Sequence, residues 1–579
     1  MPSAVKRFVR WARARPGTLA IACLGVCWGL MMHSMGWAQF AHYAQVQAFS
    51  EGRAEIDEWH WSTNDKAWVD GRFYSVKSPG VAAISLPAYL ALDASFGHDF
   101  ADEAVLNARE TEYPRWGPGT ATPLENYGFD PRRADRVQVE NEHNAPLIWL
   151  LTLLVAVGPA VALLFGVRWA ADRFEPGYGT AAAVTLGLGT IVLTFGSEYF
   201  SHVISAALGF AAFLVLMRER EGSPSMRQVA GAGLLAGLAV SFEYQVGLVG
   251  AVLFLYALAG RNERVRRGLL YTAGAFLGAL PALAFNWWAL GSPLEFAYGS
   301  AVEEPGFSGH DELGLNADGF FGITVPKPAS AIDLLIANRG LLTLTPVIAA
   351  AVAGLVLLWR GGRFRPEVAT IGAVGLVYFL YNAGYWLAFG GGSPGPRFLI
   401  PALPFLALGL ATAYRRLPAI TLALAIPSVV TMGAAAMAFP LLGEQGPGEW
   451  ADFIEDGHLE HTLLTALGVS NAWLAIAPAV LAALGAIAFA FAATPRLRMN
   501  HLGAAALCVA AWAAIAVVGP DIAGDENTPL GSDTDALSLF AIGGGLSLFL
   551  LGLLAIRRRR ADQPEVPLHG EPALDSSSS

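Results

Sequence analysis

Charge is what this chain has least of. Only 15% of its 579 residues are Asp, Glu, Lys or Arg, while 54% are hydrophobic and the mean hydropathy is +0.46. Soluble domains carry about 25% charged residues, so a soluble enzyme of this length is excluded. Lysine is scarcer still: Lys6, Lys66, Lys77 and Lys327 are the whole set. Cysteine is nearly absent. Cys23, Cys27 and Cys508 all lie in apolar runs, where a thiol packs as a small hydrophobe, so neither a disulfide framework nor a cysteine metal cluster is supported. No Walker sequence and no His-Glu-x-x-His occurs, which removes direct ATP drive and the common zinc-hydrolase pattern. A formal charge of −10 argues against nucleic acid as a partner. The alternating ten-residue segments of a membrane β-barrel are also missing.

What the chain does have is long apolar runs. They predict an all-α polytopic membrane protein of about 14 transmembrane helices. Crossings are expected near 17–36, 145–168, 178–197, 199–217, 228–241, 244–259, 267–290, 341–359, 367–388, 396–414, 418–440, 464–493, 501–519 and 536–556. The first has a basic flank, Lys6 to Arg15, like a signal peptide. It is too long for one and no small-residue cleavage site follows, so it is expected to stay as a signal anchor in the cytoplasmic membrane.

The remaining charges are sorted by side. Arg168/Arg173, Arg218/Arg220/Arg227, Arg261 to Arg267, Arg360/Arg363/Arg365, Arg415/Arg416, Arg496/Arg498 and Arg557 to Arg560 occupy alternate loops. The loops between them, including Glu444–Glu460 and Asp521–Asp535, are acidic or neutral. Positive residues mark the cytoplasmic side, so both termini are expected inside and the loop 37–144 outside. The run 228–259 is basic at both ends, which calls for two short helices with an external tip at Ser241-Phe242-Glu243-Tyr244. Each would be roughly 21–24 Å long, shorter than a hydrocarbon core of about 30 Å. Glu243 would therefore sit below the outer surface, where an acid is a functional candidate. Four parts follow: a basic arm 1–16, a transmembrane catalytic module 17–440 containing the external loop 37–144, C-terminal helices 441–556, and a polar tail 557–579, expected to be disordered from Ala561 onwards. Within the external loop, Val81–Leu92 is too short to span and reads as a juxtamembrane helix in the interface.

The external face holds carboxylates, aromatics and a few cations. That set suits a sugar or a lipid phosphate: aromatic faces stack on sugar rings, a carboxylate deprotonates a hydroxyl, and Lys or Arg binds phosphate. Asp57 and Asp65 are the leading candidates for a base, with Glu55 third. A solvated acidic loop would look the same. Lys77, before Pro79-Gly80, could hold a lipid phosphate or simply snorkel at the interface. Arg397 follows the turn Gly390 to Pro396 and could bind phosphate bidentately, or pair with an acid. His202 stands at the tip between crossings three and four, as a phosphate ligand, an orienting group or a hydrogen-bonded turn residue. Tyr74, Trp59 and Trp61 could stack on sugar or belong to an aromatic belt.

The external first loop, the stretch Asp65-Lys66 to Gly71-Arg72-Phe73-Tyr74-Ser75-Val76-Lys77-Ser78-Pro79-Gly80, and Gly392-Ser393-Pro394-Gly395-Pro396-Arg397-Phe398-Leu399-Ile400-Pro401-Ala402-Leu403-Pro404 resemble the GT-C glycosyltransferases. They are most similar to proteins related to protein O-mannosyltransferases and the lipid A aminoarabinose transferase. The resemblance covers roughly residues 17–440. It implies a GT-C-like fold, a polyprenyl-phosphate-linked sugar as donor, and an acid of the first external loop as general base. This chain departs from the mannosyltransferase pattern: no Asp-Glu pair directly follows the first crossing, and Asp57-Glu58 comes some twenty residues later. The reading is an inverting transferase with Asp57 or Asp65 as base, and Lys77, Arg397, Tyr74, His202 and Glu243 around the substrate. No cofactor is required. A divalent metal ion is compatible, but no ligand cluster demands one. A secondary transporter or lipid flippase, or a noncatalytic membrane scaffold, remains as an alternative.

Overall fold

The computed structural model describes residues 15–111, 131–259, 262–301, 319–441, 446–523 and 534–561. Most of the basic arm and of the C-terminal tail lie outside those residues, as do parts of the loops around 302–318, 442–445 and 524–533. The protein is all-α apart from two short two-stranded ribbons.

In chain order the elements begin with α1 (Pro16–Leu30), β1 (Met31–Met32), α2 (Trp37–Ser50), β2 (Lys66–Val69), β3 (Arg72–Ser75), α3 (Gly80–Asp93) and α4 (Gly97–Arg109). There follow α5 (Pro131–Thr152), α6 (Gly158–Phe174), α7 (Gly179–Leu188), α8 (Val192–Phe195), α9 (His202–Glu221), α10 (Met226–Phe242), α11 (Gly247–Leu258) and α12 (Arg264–Leu290). Next come α13 (Pro328–Ile336), α14 (Leu341–Leu344), α15 (Val347–Arg360), α16 (Arg365–Gly384), α17 (Leu403–Arg416) and α18 (Pro418–Met437). The chain closes with α19 (Pro447–Glu455), β4 (His461–Thr462), α20 (Leu463–Ala466), α21 (Ala472–Ala493), α22 (Leu502–Ile522) and α23 (Thr534–Ala561).

Among the described residues, 8 helices are long and apolar enough to cross a membrane, or 10 if each of two bent helix pairs counts as one span. The expected 14 included shorter elements. Of these, α1 has 15 residues, α7 has 10 and α10 has 17; they are apolar but shorter than 18 residues, so the described helices do not confirm the number 14. The run read as an interfacial helix is α3, which turns by 85° into α4. The chain is a multi-pass membrane protein.

Two helix pairs approach so closely that only glycine fits between them. On α10 and α12, Gly233 and Gly237 face Gly274 and Gly278. A Cβ at Gly237 would stand 1.9 Å from the Ala275 carbonyl oxygen, and one at Gly274 would stand 2.1 Å from that of Ala230. This is the small-x-x-x-small spacing by which membrane helices gain backbone contact without a hydrophobic driving force. The pair α15 and α17 repeats the device, with Gly354 against the Gly409 carbonyl at 1.9 Å. The first pair fixes the end of α10, where Glu243 stands. The second fixes α17, which continues from the turn carrying Arg397.

One group of arginines gathers where five helices end. There α6, α9, α15, α17 and α21 all terminate in or beside basic residues. One ion pair at that end is fully buried: Arg267 grips Glu219 through two hydrogen bonds of 2.9 and 3.0 Å. The start of α9, the end of α10 and the start of α17 lie at the opposite end.

Candidate active site

A hairpin builds the first part of the site. The two strands pair Lys66 with Ser75 and Val69 with Arg72, leaving Asp70-Gly71 as the turn. Both turn residues have positive φ, +49° and +84°, as the two-residue hairpin turn favoured by Asp-Gly requires. The open end of the hairpin then sets Asp65 beside Lys77, with Lys77 Nζ 2.6 Å from Asp65 Oδ2. Both side chains are mostly buried, at 14% and 11% exposure.

The hairpin is docked onto α10. Ser78 donates to the Ser241 carbonyl at 2.6 Å. Gly80 lies so close that a Cβ there would be 2.5 Å from the same oxygen. Just beyond, the backbone of Glu243 leaves the helix in an extended conformation, and a single 3-10 turn, Tyr244–Val246, leads into α11. The break expected in the run 228–259 is therefore present, and it sets Glu243 among protein groups. Its carboxylate accepts a hydrogen bond from Ser201 and lies 3.0 Å from His202 Nδ1. Ser201 precedes α9 and His202 opens it.

Arg397 comes from the third direction. Gly390, Gly391 and Gly395 have φ of +81°, +100° and +130°, which lets the chain fold back sharply before the 3-10 turn Arg397–Ala402 and α17. A Cβ at Gly390 would lie 2.9 Å from the Arg397 side chain. The guanidinium stands 5.5 Å from the ring centres of both Phe200 and Phe398. Among the described residues it has no acid partner, and its Nε is buried without a hydrogen bond.

These groups converge on one small cavity of about 50 Å³. Asp65, Lys77, His202, Glu243 and Arg397 all line it. Five residues chosen from separate parts of the sequence thus meet. Asp57 and Tyr74 do not line it. Asp57 accepts from Arg72 and from the Phe73 backbone N–H, each at 2.7 Å, which makes it a clip on the outer strand. Tyr74 sits on that same strand, half-buried. Trp59 and Trp61 belong to a separate cluster with Arg53, His60 and Lys66.

Sequence reading missed the aromatic wall. Tyr298, Tyr385 and Trp386 line the cavity, and all three pack against Ala67 and Val76 of the hairpin region. Burial pushes the Tyr298 phenol well above its ordinary range, so it stays protonated as a donor. His42 of α2 was also missed. It is 1% exposed with Nδ1 unpaired, and it too faces the cavity. A buried polar atom left unpaired costs about 1–3 kcal/mol, a cost that a ligand or water at the Arg397 and His42 nitrogens would relieve. The Asp-Gly turn signal was available in the sequence and would have brought Asp65 and Lys77 together. Nothing local marked His42 or Tyr298. Among the described residues, no group of three His, Cys, Asp or Glu side chains is placed to hold a metal ion.

No protein-family model matches the chain, and no curated protein matches its sequence. Among solved structures it is similar to the crystal structure of ArnT from Cupriavidus metallidurans bound to undecaprenyl phosphate. Identity is 13%, over 81% of this chain and 77% of that one, with a TM-score of 0.42.

Proposed function

We propose that the protein is an inverting glycosyltransferase that moves a sugar from a polyprenyl-phosphate-linked donor to a hydroxyl-bearing acceptor outside the cytoplasmic membrane. One observation carries the reading. A single buried cavity of a membrane protein holds a carboxylate beside a lysine, an arginine with no acid partner among the described residues, and an aromatic wall.

Each half of the reaction then has a residue. Arg397 binds the donor phosphate, with two planar N–H donors available for its oxygens. The acceptor oxygen attacks the anomeric carbon from the face opposite the phosphate. As the new C–O bond forms, the bond from the anomeric carbon to the phosphate oxygen breaks, and polyprenyl phosphate leaves with the bonding pair. The acceptor proton passes to Asp65. Lys77 holds the Asp65 carboxylate in place beforehand through their 2.6 Å contact. Once Asp65 is protonated, the ammonium is released to the departing phosphate. Tyr298, Tyr385 and Trp386 supply faces and donors for the sugar. Glu243 and His202 stand side by side in the cavity wall. The donor is already activated, so no nucleotide enters.

The test is binding of undecaprenyl phosphate to the purified protein in detergent. Saturable binding that weakens in Arg397→Ala supports the proposal. Absence of binding, or equal binding in the variant, contradicts it.

A further inference from the structure

A second cavity lies in the arginine-rich half of the bundle, away from the candidate active site. It is an elongated cleft of about 410 Å³. Its walls come from α7, α18, α21 and α23, with Val184, Ala425, Val429, Phe491 and Leu546 among the apolar side chains that line it. It exists because of how the helices pair. Helix α18 packs on α23 and on α7, α21 packs on α1 and α7, and the cleft lies between α18 and α21 over α7. Along α18 it runs from Leu422 to Val430, about 12 Å at 1.5 Å per residue. Water does not fill a space of this kind, because apolar cavities stay dry. An apolar space of this volume can take part of an acyl chain.

The end of the cleft is not apolar. Thr494 and Leu497 line it where α21 ends, and Arg496 and Arg498 flank Leu497, both exposed. Neither arginine pairs with an acid among the described residues. The nearest acids are already engaged. Glu175 pairs with Arg415, and Asp172 accepts from the backbone N–H groups of Gly177 and Gly179, at the point where Gly177 meets Pro495. Two positive charges without an acid partner among the described residues thus flank Leu497 at the end of an apolar cleft.

We propose that this cleft holds an anionic glycerophospholipid, with one acyl chain between α18 and α21 and its phosphate on Arg496 and Arg498. The bound lipid fills the space that α18, α21 and α23 line. It is separate from the donor site, and stands or falls independently of the proposed transferase activity.

Native mass spectrometry of the full chain in detergent tests this, with phosphatidylglycerol and phosphatidylcholine of the same acyl chains as probes. Two arginines near an anionic headgroup predict a preference for phosphatidylglycerol of about 30-fold at low ionic strength. The double variant Arg496→Ala/Arg498→Ala should bring that preference close to one, while both lipids still bind weakly. Ala425→Trp should fill the cleft and prevent retention of either lipid, and its melting temperature in lipid-free detergent reports folding. Val429→Phe is the milder plug if the tryptophan is not tolerated. Equal retention of the two lipids by the unmodified protein would overturn the proposal. So would a preference that survives the arginine changes, full retention in a folded plug variant, or displacement of phosphatidylglycerol by equimolar undecaprenyl phosphate.

Discussion

Asp65 and Lys77 stand twelve residues apart in sequence and 2.6 Å apart in space, because the hairpin between them turns at Asp70-Gly71. The pair lines the cavity and holds the Asp65 carboxylate directly beside the Lys77 ammonium. Asp57, eight residues earlier, spends both carboxylate oxygens on Arg72 and the Phe73 backbone.

The two acids therefore predict opposite outcomes. Asp65→Asn should cost about 10²–10⁴-fold in transfer rate, the usual loss for a general base. Asp57→Asn should stay within a few-fold of the unmodified protein. Sugar transferred per unit of membrane-inserted protein is the measurement. A severe loss in Asp57→Asn with normal turnover in Asp65→Asn would move the base to the outer strand.

Lys77 and Arg397 should fail in different ways. Removing Lys77 leaves Asp65 mostly buried without its cation, and breaking a buried pair costs about 3–5 kcal/mol. Lys77→Ala should lower the melting temperature, and Lys77→Ala/Asp65→Asn should recover part of that loss. Arg397→Ala should leave stability nearly unchanged and weaken undecaprenyl phosphate binding about 10–150-fold, from 1.5–3 kcal/mol for hydrogen bonds to a charged group. Arg397→Lys should restore only part of the affinity, because an ammonium lacks the planar pair of donors.

The position of Glu243 depends on glycine. Gly237→Leu or Gly274→Leu would drive a side chain into backbone at about 2 Å, which α10 and α12 can relieve only by separating. Both variants should lose folded yield and activity together. Gly231→Leu lies on the same helix with open space around it and should behave as the unmodified protein. Tolerance at Gly237 and Gly274 would mean that the two helices pack more loosely than described.

Gly71 gives a cleaner test of the hairpin. A side chain there meets nothing within 4 Å, yet φ is +84°. Gly71→Val should therefore cost about 1–2 kcal/mol through backbone strain alone and reduce transfer by loosening the Asp65–Lys77 pair. Unchanged stability would show that the turn is not held in this conformation.

Much of this was readable from residues alone, for identifiable reasons. Long apolar runs and alternating arginine clusters predicted a helical membrane protein. The break at Glu243 followed from charge parity at the two ends of one apolar run. The Gly/Pro turn before Arg397 pointed to backbone freedom next to a cation. The number of crossings is not confirmed, because α1, α7 and α10 are apolar but short, and length alone does not decide whether such a helix crosses. Asp57 and Tyr74 looked equivalent to Asp65 because composition says nothing about which strand faces inward. His42, Tyr298, Tyr385 and Trp386 come to the cavity through contacts between segments far apart in the chain, and no local pattern marks such contacts.

The most direct measurement compares extracted lipids and glycoconjugates from a strain lacking the protein with those from a strain restored with the unmodified chain or with Asp65→Asn. A polyprenyl-phosphate-linked sugar should accumulate when the protein is missing, and one glycoconjugate should lose that sugar. The unmodified chain should reverse both changes and Asp65→Asn neither. Unchanged donor and glycoconjugate levels in the deletion strain, or full restoration by Asp65→Asn, would contradict sugar transfer at this site.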